Sequence, residues 1–215
     1  MKRIDIKSCL KVGIVCFAFG LSGCISIPNS PTPRFYALTP IGENKVGADL
    51  VSARIPGAIG DRLKGMIIGI GPVKIPEYLD RPQIVTQDKE KMLHLAQFDR
   101  WGESLDLGLA RLIRENLTAI LPGTKLTLYP WNPLITVKYQ VLVEVIQLDS
   151  QLDRDMFFVV QWTVIDVQNS KTMMIKRSEF RLPIVSHNYV GLAQTLSTAC
   201  SSLSDQIADA LASLK

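Results

Sequence analysis

The chain is poor in the residues that carry most protein chemistry. Its 215 residues hold two histidines and four cysteines. No H-x-x-x-H or E-x-x-H pair occurs, so a helical zinc site has no ligands to draw on. G-x-S-x-G is absent, which removes the nucleophile elbow of a serine hydrolase. Gly69-Ile70-Gly71-Pro72 is no phosphate loop, because proline lacks an amide donor where backbone N–H groups are wanted and no G-K-[ST] follows. Charge of one sign is scarce too: 24 Lys plus Arg stand against 20 Asp plus Glu with no block of either, which leaves no nucleic-acid arm and no polybasic membrane segment. What is present is apolar material, 47% of residues, enough to build about one folded domain.

The first 24 residues have an order of their own. Lys2, Arg3, Lys7 and Lys11 precede an apolar run over residues 12–21, and Ser22 and Gly23 lead to Cys24. This is the layout of a secretory signal peptide. Ten residues at about 1.5 Å rise reach roughly 15 Å, half of the hydrocarbon core of a bilayer, so the run is too short to span. The tetrad Leu21-Ser22-Gly23-Cys24 resembles the bacterial lipobox, whose cysteine thiol takes a diacylglyceryl group and whose new amine, after cleavage, takes an N-acyl chain such as palmitate. An ordinary leader ending near a cysteine, or a buried strand, explains less of that order. Cysteine is needed there because its thiolate is the best side-chain nucleophile near neutral pH. Two or three acyl chains at about 0.8 kcal/mol per buried CH₂ hold a protein on a membrane where one chain does so marginally. Ile25 stands where Asp would favour inner-membrane retention, so the expected place is the periplasmic face of the outer membrane.

The predicted organisation is therefore a lipoprotein signal peptide at 1–23, a lipidated tether at 24–33 and one domain at 34–215. Processing removes four cations and Asp5, taking the formal charge from +4 to +1, and it removes Cys9 and Cys16. Cys24 is then acylated and Cys200 stands alone, so no internal disulfide forms despite an oxidising compartment. Pro28, Pro31 and Pro33 keep the tether extended.

Within the domain, residues 34–38 read as a short strand and 66–73 as a buried strand bent at its glycines, while 41–65 carries no clear pattern. Residues 83–86 and 92–98 form a hairpin around a polar turn. From 102 to 121 apolar residues recur at three and four, an amphipathic helix stopped by Pro122-Gly123. The period then becomes two: a strand over 137–145, a second over 156–167 that is apolar on both faces, and a third, more exposed, over 172–182 make an antiparallel meander. Residues 189–214 form a second long helix, with Ser197, Ser201, Ser204, Asp205 and Asp209 off its apolar face. The expected class is α+β, with six or seven strands in a mainly antiparallel sheet and both helices packed on one side.

Single residues of interest read as structural. His94 lies in a hairpin strand and His187 in a loop. Cys200 falls on the apolar stripe of the last helix, where a free cysteine acts as a small hydrophobe. Asn116-Leu117-Thr118 fits a glycosylation sequon but lies inside a helix of a chain with a bacterial leader. Trp101 reads as a lid on the core, with a partner anchor as the alternative. Cys24 is the one site assigned, and no catalytic, metal-binding or cofactor-binding residue is.

Arg34-Phe35-Tyr36-Ala37-Leu38, the run from Gly69 to Val85 with its Pro-bracketed Tyr78-Leu79-Asp80-Arg81-Pro82, and Arg100-Trp101-Gly102-Glu103 with Glu115-Asn116-Leu117 occur in an order that resembles the ABC-type transport auxiliary lipoproteins, the PqiC (YmbA-type) family. The resemblance implies an outer-membrane lipoprotein, not an enzyme, that serves an MCE-type intermembrane lipid transport system. Its partners are the membrane, through the lipid, and a periplasmic tunnel protein of the MCE type, and it acts by protein contact as a monomer or as a homo-oligomer. A lipid-binding carrier with an apolar pocket between sheet and helices is the alternative, motivated by the doubly apolar strand at 156–160.

Overall fold

Alternation of apolar residues at two and at three to four sets up strands and helices that share one buried interface. The computed structural model describes residues 31–40 and 62–214, and within it Pro33–Lys215 forms one compact unit. In chain order the elements are β1 (Arg34–Tyr36), β2 (Ile67–Lys74), β3 (Gln83–Gln87), β4 (Leu93–Trp101), α1 (Leu105–Ile120), β5 (Lys125–Leu128), β6 (Tyr139–Ser150), β7 (Asp155–Asp166), β8 (Lys171–Pro183) and α2 (Tyr189–Ala212). A 3₁₀ turn, Glu77–Leu79, sits between the two prolines that bracket it. The leader and Cys24 lie outside the described residues, as does most of the patternless 41–65.

The large sheet has the order β5-β2-β6-β7-β8, and β6-β7-β8 is the expected antiparallel meander. The α+β class stands, with two differences in detail. β2 runs parallel to both β5 and β6, since α1 carries the chain back between β2 and β5 as a crossover must. The segments at 34–38 and 83–101 form a separate three-stranded sheet, β1-β4-β3, whose β1–β4 pairing is parallel and whose β3–β4 pairing is the expected hairpin. Among the described residues the strands number eight, because four-residue β5 is too short and too polar to announce itself.

α1 buries Leu109, Leu112, Ile113 and Leu117, and α2 buries Leu196, Leu203 and Ile207, all at 1% exposure or less. They meet Ile68 and Ile70 of β2, Val141 and Val143 of β6 and Val160, Trp162 and Val164 of β7, none above 2%. A lipid-sized gap between the layers would leave these side chains with accessible surface. The interface is filled, each large side chain contributing about 1.5–3 kcal/mol by burial. Ser197 and Ser204, expected off the apolar face, are buried as well. Each hydroxyl donates to the carbonyl one turn back, Ala193 and Cys200 respectively, at 2.8 Å, which satisfies the donor and lets neighbouring backbone come close.

Among the described residues no helix lies over the opposite face of the large sheet. Val159 of β7 is nonetheless fully buried there, in register between Gln147 and Glu179, and Arg181 lies 5.1 Å over the Phe157 ring. Long polar side chains cover this face with their stems. At Gly69 the cover is Trp131, whose ring approaches so closely that a Cβ would sit 2.4 Å from it.

Candidate functional site

The three motif segments, far apart in sequence, converge where the domain begins. Arg34 lies in register with Asp99, and its guanidinium donates twice to the carboxylate, Nε to Oδ1 and Nη2 to Oδ2, both at 2.8 Å. Tyr36 adds a third donor to Oδ1 at 2.6 Å, and its ring packs 6.1 Å from that of Tyr189 at the start of α2. Asp99 is buried while Arg34 reaches into solvent. The Arg34 hydrogen bond, with that of Tyr36, holds the Asp99 carboxyl below the usual carboxylate range against the opposing effect of burial. Burial, followed by the charge and hydrogen bond of Asp99, pushes the Tyr36 phenol up.

The backbone continues the clamp. Gly102 donates to the Tyr36 carbonyl at 2.8 Å, Trp101 to the Pro82 carbonyl at 2.8 Å, and Thr39 to Ser197 Oγ at 3.1 Å. Arg111 of α1 donates to the Leu38 carbonyl at 3.1 Å and twice to Glu103 Oε1, at 2.6 and 2.9 Å. Glu103 fits because Gly108 faces it: a Cβ there would lie 3.4 Å from the Glu103 side chain. Trp101 is 7% exposed, a lid on the core. The cleft between Tyr36, Trp101 and Gly108 holds about 10 Å³, room for about one water. Tyr78, from the Pro-bracketed turn, accepts from the Leu148 N–H at 3.2 Å and so ties that turn to β6. The motif residues therefore build a joint that fixes where the chain enters the domain.

Residues considered for chemistry are dispersed. His94 pairs with Asp88 at 2.7 Å on the exposed hairpin, and His187 contacts the Leu152 carbonyl at 3.1 Å on an exposed loop. Cys200 is fully buried and desolvation pushes its thiol up to about 12, which leaves no thiolate. Asn116 is 1% exposed, out of reach of a glycosyl transferase. Among the described residues no group of three His, Cys, Asp or Glu could hold a metal ion, and no helix is long and apolar enough to cross a membrane. Asp99 was not anticipated, although an acid inside a strand, with Arg34 and Tyr36 spaced two apart, is the signal for it.

Residues 51–208 match the family described as the ABC-type transport auxiliary lipoprotein component. The chain belongs to that family. As an auxiliary lipoprotein it serves a transport system and is non-catalytic by the family's description. No curated protein matches the chain. Among solved structures, an uncharacterized protein superposes with a TM-score of 0.65 at 18% identity, covering 84% of this chain and 99% of its own. Protein XCC0632 from Xanthomonas campestris superposes at 0.60 with 10% identity, covering 81% of this chain and 92% of its own. Both show that the whole domain has a known fold, and the auxiliary lipoprotein family supplies its role.

Proposed function

We propose that this auxiliary lipoprotein is acylated at Cys24, stands on the periplasmic face of the outer membrane, and serves an MCE-type intermembrane lipid transport system as a non-catalytic component that contacts a periplasmic tunnel protein. The observation that carries the contact role is the filled interface between helices and sheet, since a carrier needs room there for acyl chains and the facing side chains of α1, α2, β2, β6 and β7 named above are sealed. A tether of ten residues keeps the domain near one membrane and raises its effective concentration for a partner arriving from the other, so a weak interface suffices. Self-association of the domain is compatible with this role.

The test is a pull-down of the tagged, lipidated protein from envelopes. Recovery of an MCE protein supports the reading. Stoichiometric phospholipid held by the Cys24→Ala chain in native mass analysis, with no MCE partner, overturns it in favour of a carrier. Intact mass of the mature product must show a diacylglyceryl and an N-acyl group on the N-terminal cysteine, and a free thiol would remove the anchor.

A further inference from the structure

The small sheet has one face turned to the helices and one turned away, and its register says which residues share each. Arg34, Tyr36, Asp99 and Trp101 lie on the inner face. Phe35 is in register with Arg100, Arg100 with Gln83, Val85 with Leu95, and Gln87 with Leu93. Side chains of register partners point the same way and residues two apart on a strand share a face, so Phe35, Arg100, Leu95 and Leu93 lie on the outer face, spread over about 14 Å; Val85 on the same face is buried, so its open part lies over β1 and β4. The three extra residues that β4 carries between Leu95 and Arg100 keep both ends of that strand on this side.

These side chains are unusually open for their type. Phe35 is 66% exposed, Leu95 53%, Leu93 48%, and Met92 at the adjoining hairpin turn 58%. Together they make up a patch of roughly the few hundred Å² that marks a contact surface on a monomer. Arg100 stands in the row beside Phe35, half-buried, with its Nε shielded from solvent and without a hydrogen-bond partner.

We infer that this outer face rests on the lipid surface into which the acyl chains of Cys24 insert. The inference depends on the acylation proposed above. What selects lipid over a protein occupant is where the tether ends: β1 starts at Arg34, so Phe35 stands two positions after the ten tether residues, whose full extension is about 33 Å. A bilayer is held within that distance of the patch at all times. Exposed apolar side chains at the foot of the tether supply the second, weak signal that reinforces a lipid anchor.

The test uses the mature lipidated protein reconstituted into phosphatidylethanolamine and phosphatidylglycerol vesicles, with Leu95→Cys labelled by an environment-sensitive fluorophore. Native thiols do not interfere, because Cys24 is acylated and Cys200 is buried. The expected result is a blue shift on reconstitution and quenching by brominated acyl chains. The same label at Glu179→Cys, on β8, should show neither, and Leu93→Cys gives a second position should Leu95→Cys fold poorly. A Leu95 label that behaves like the Glu179 label, on vesicles that float with the protein, overturns the inference and leaves the anchor intact. Protein that does not float with the vesicles overturns both. A blue shift that grows with protein concentration and escapes the bromines assigns the face to a second copy and overturns the lipid contact.

Discussion

Asp166 shows how one carboxylate links the fold to pH. Lys138 Nζ donates to its Oδ2 at 2.7 Å, and Asn169 donates to both oxygens, at 3.1 Å from the backbone and 2.9 Å from the side chain. With Lys138 as the larger cause, these bonds bring its carboxyl down to about 2. A folded value below the unfolded one means that the stabilisation is complete above the ordinary value near 3.9 and is lost as pH falls towards about 2. Urea midpoints measured from pH 6 to pH 2 should therefore fall across that window, and Asp166→Asn should give a flatter curve that starts lower. An unchanged slope would show that other carboxylates govern acid stability. Gly69 offers a second residue-scale test. Gly69→Ala drives a methyl into the Trp131 ring and should cost about 1–3 kcal/mol, as overpacking does. Trp131→Ala should remove most of that cost, so the double mutant is less destabilised than the sum of the singles in urea titrations. From sequence, Gly69 reads as a strand bend, and the role of Trp131 was illegible because the two lie on different elements and only the fold stacks them.

The elements whose periodicity is long and regular were the ones read correctly. α1, α2 and the β6-β7-β8 meander fall where the apolar spacing places them, since twelve or more residues of pattern outweigh local exceptions. Pairing direction and the short β5 were not legible, because strand partners are chosen by packing that no local window contains. The serines of α2 failed for a different reason. Polarity implied exposure, but a hydroxyl that bonds its own helix is small and satisfied, and it fits where two helices press together. Ser204 Oγ lies 3.5 Å from Asn116 of α1, across that contact. Ser204→Leu should overpack it at a cost of about 1–3 kcal/mol, whereas Ser204→Ala should be nearly neutral. Thermal denaturation of both variants checks this, and equal effects would mean that the hydroxyl rather than the volume matters.

At the scale of the molecule, the motif residues read as a family signature turn out to hold the first strand onto the rest. β1 has three residues and little burial of its own, with Phe35 and Arg34 open to solvent. Its hold comes from the Asp99 carboxylate, the Tyr36 carbonyl bonded to Gly102, and the contacts of Leu38 and Thr39 with the two helices. Any pull on the chain that precedes Arg34 reaches the domain through this joint, so its strength sets how firmly β1 holds to the rest. Asp99→Asn keeps the shape but removes the charge that Arg34 and Tyr36 bond. Amide exchange at neutral pH should then become roughly tenfold faster in β1 and at Gly102, the factor expected when a hydrogen bond to a charged group is weakened, while β6 and β7 keep their protection. Because the Asp99 carboxyl is held low, the clamp is fully present at neutral pH and weakens only as the medium falls below the ordinary carboxylate value, so the variant and the parent should converge in acid. Exchange in β1 that is unchanged by Asp99→Asn would move the attachment to the helix contacts of Leu38 and Thr39. Loss of protection in β6 and β7 as well would make Asp99 a residue of the global fold rather than of the joint.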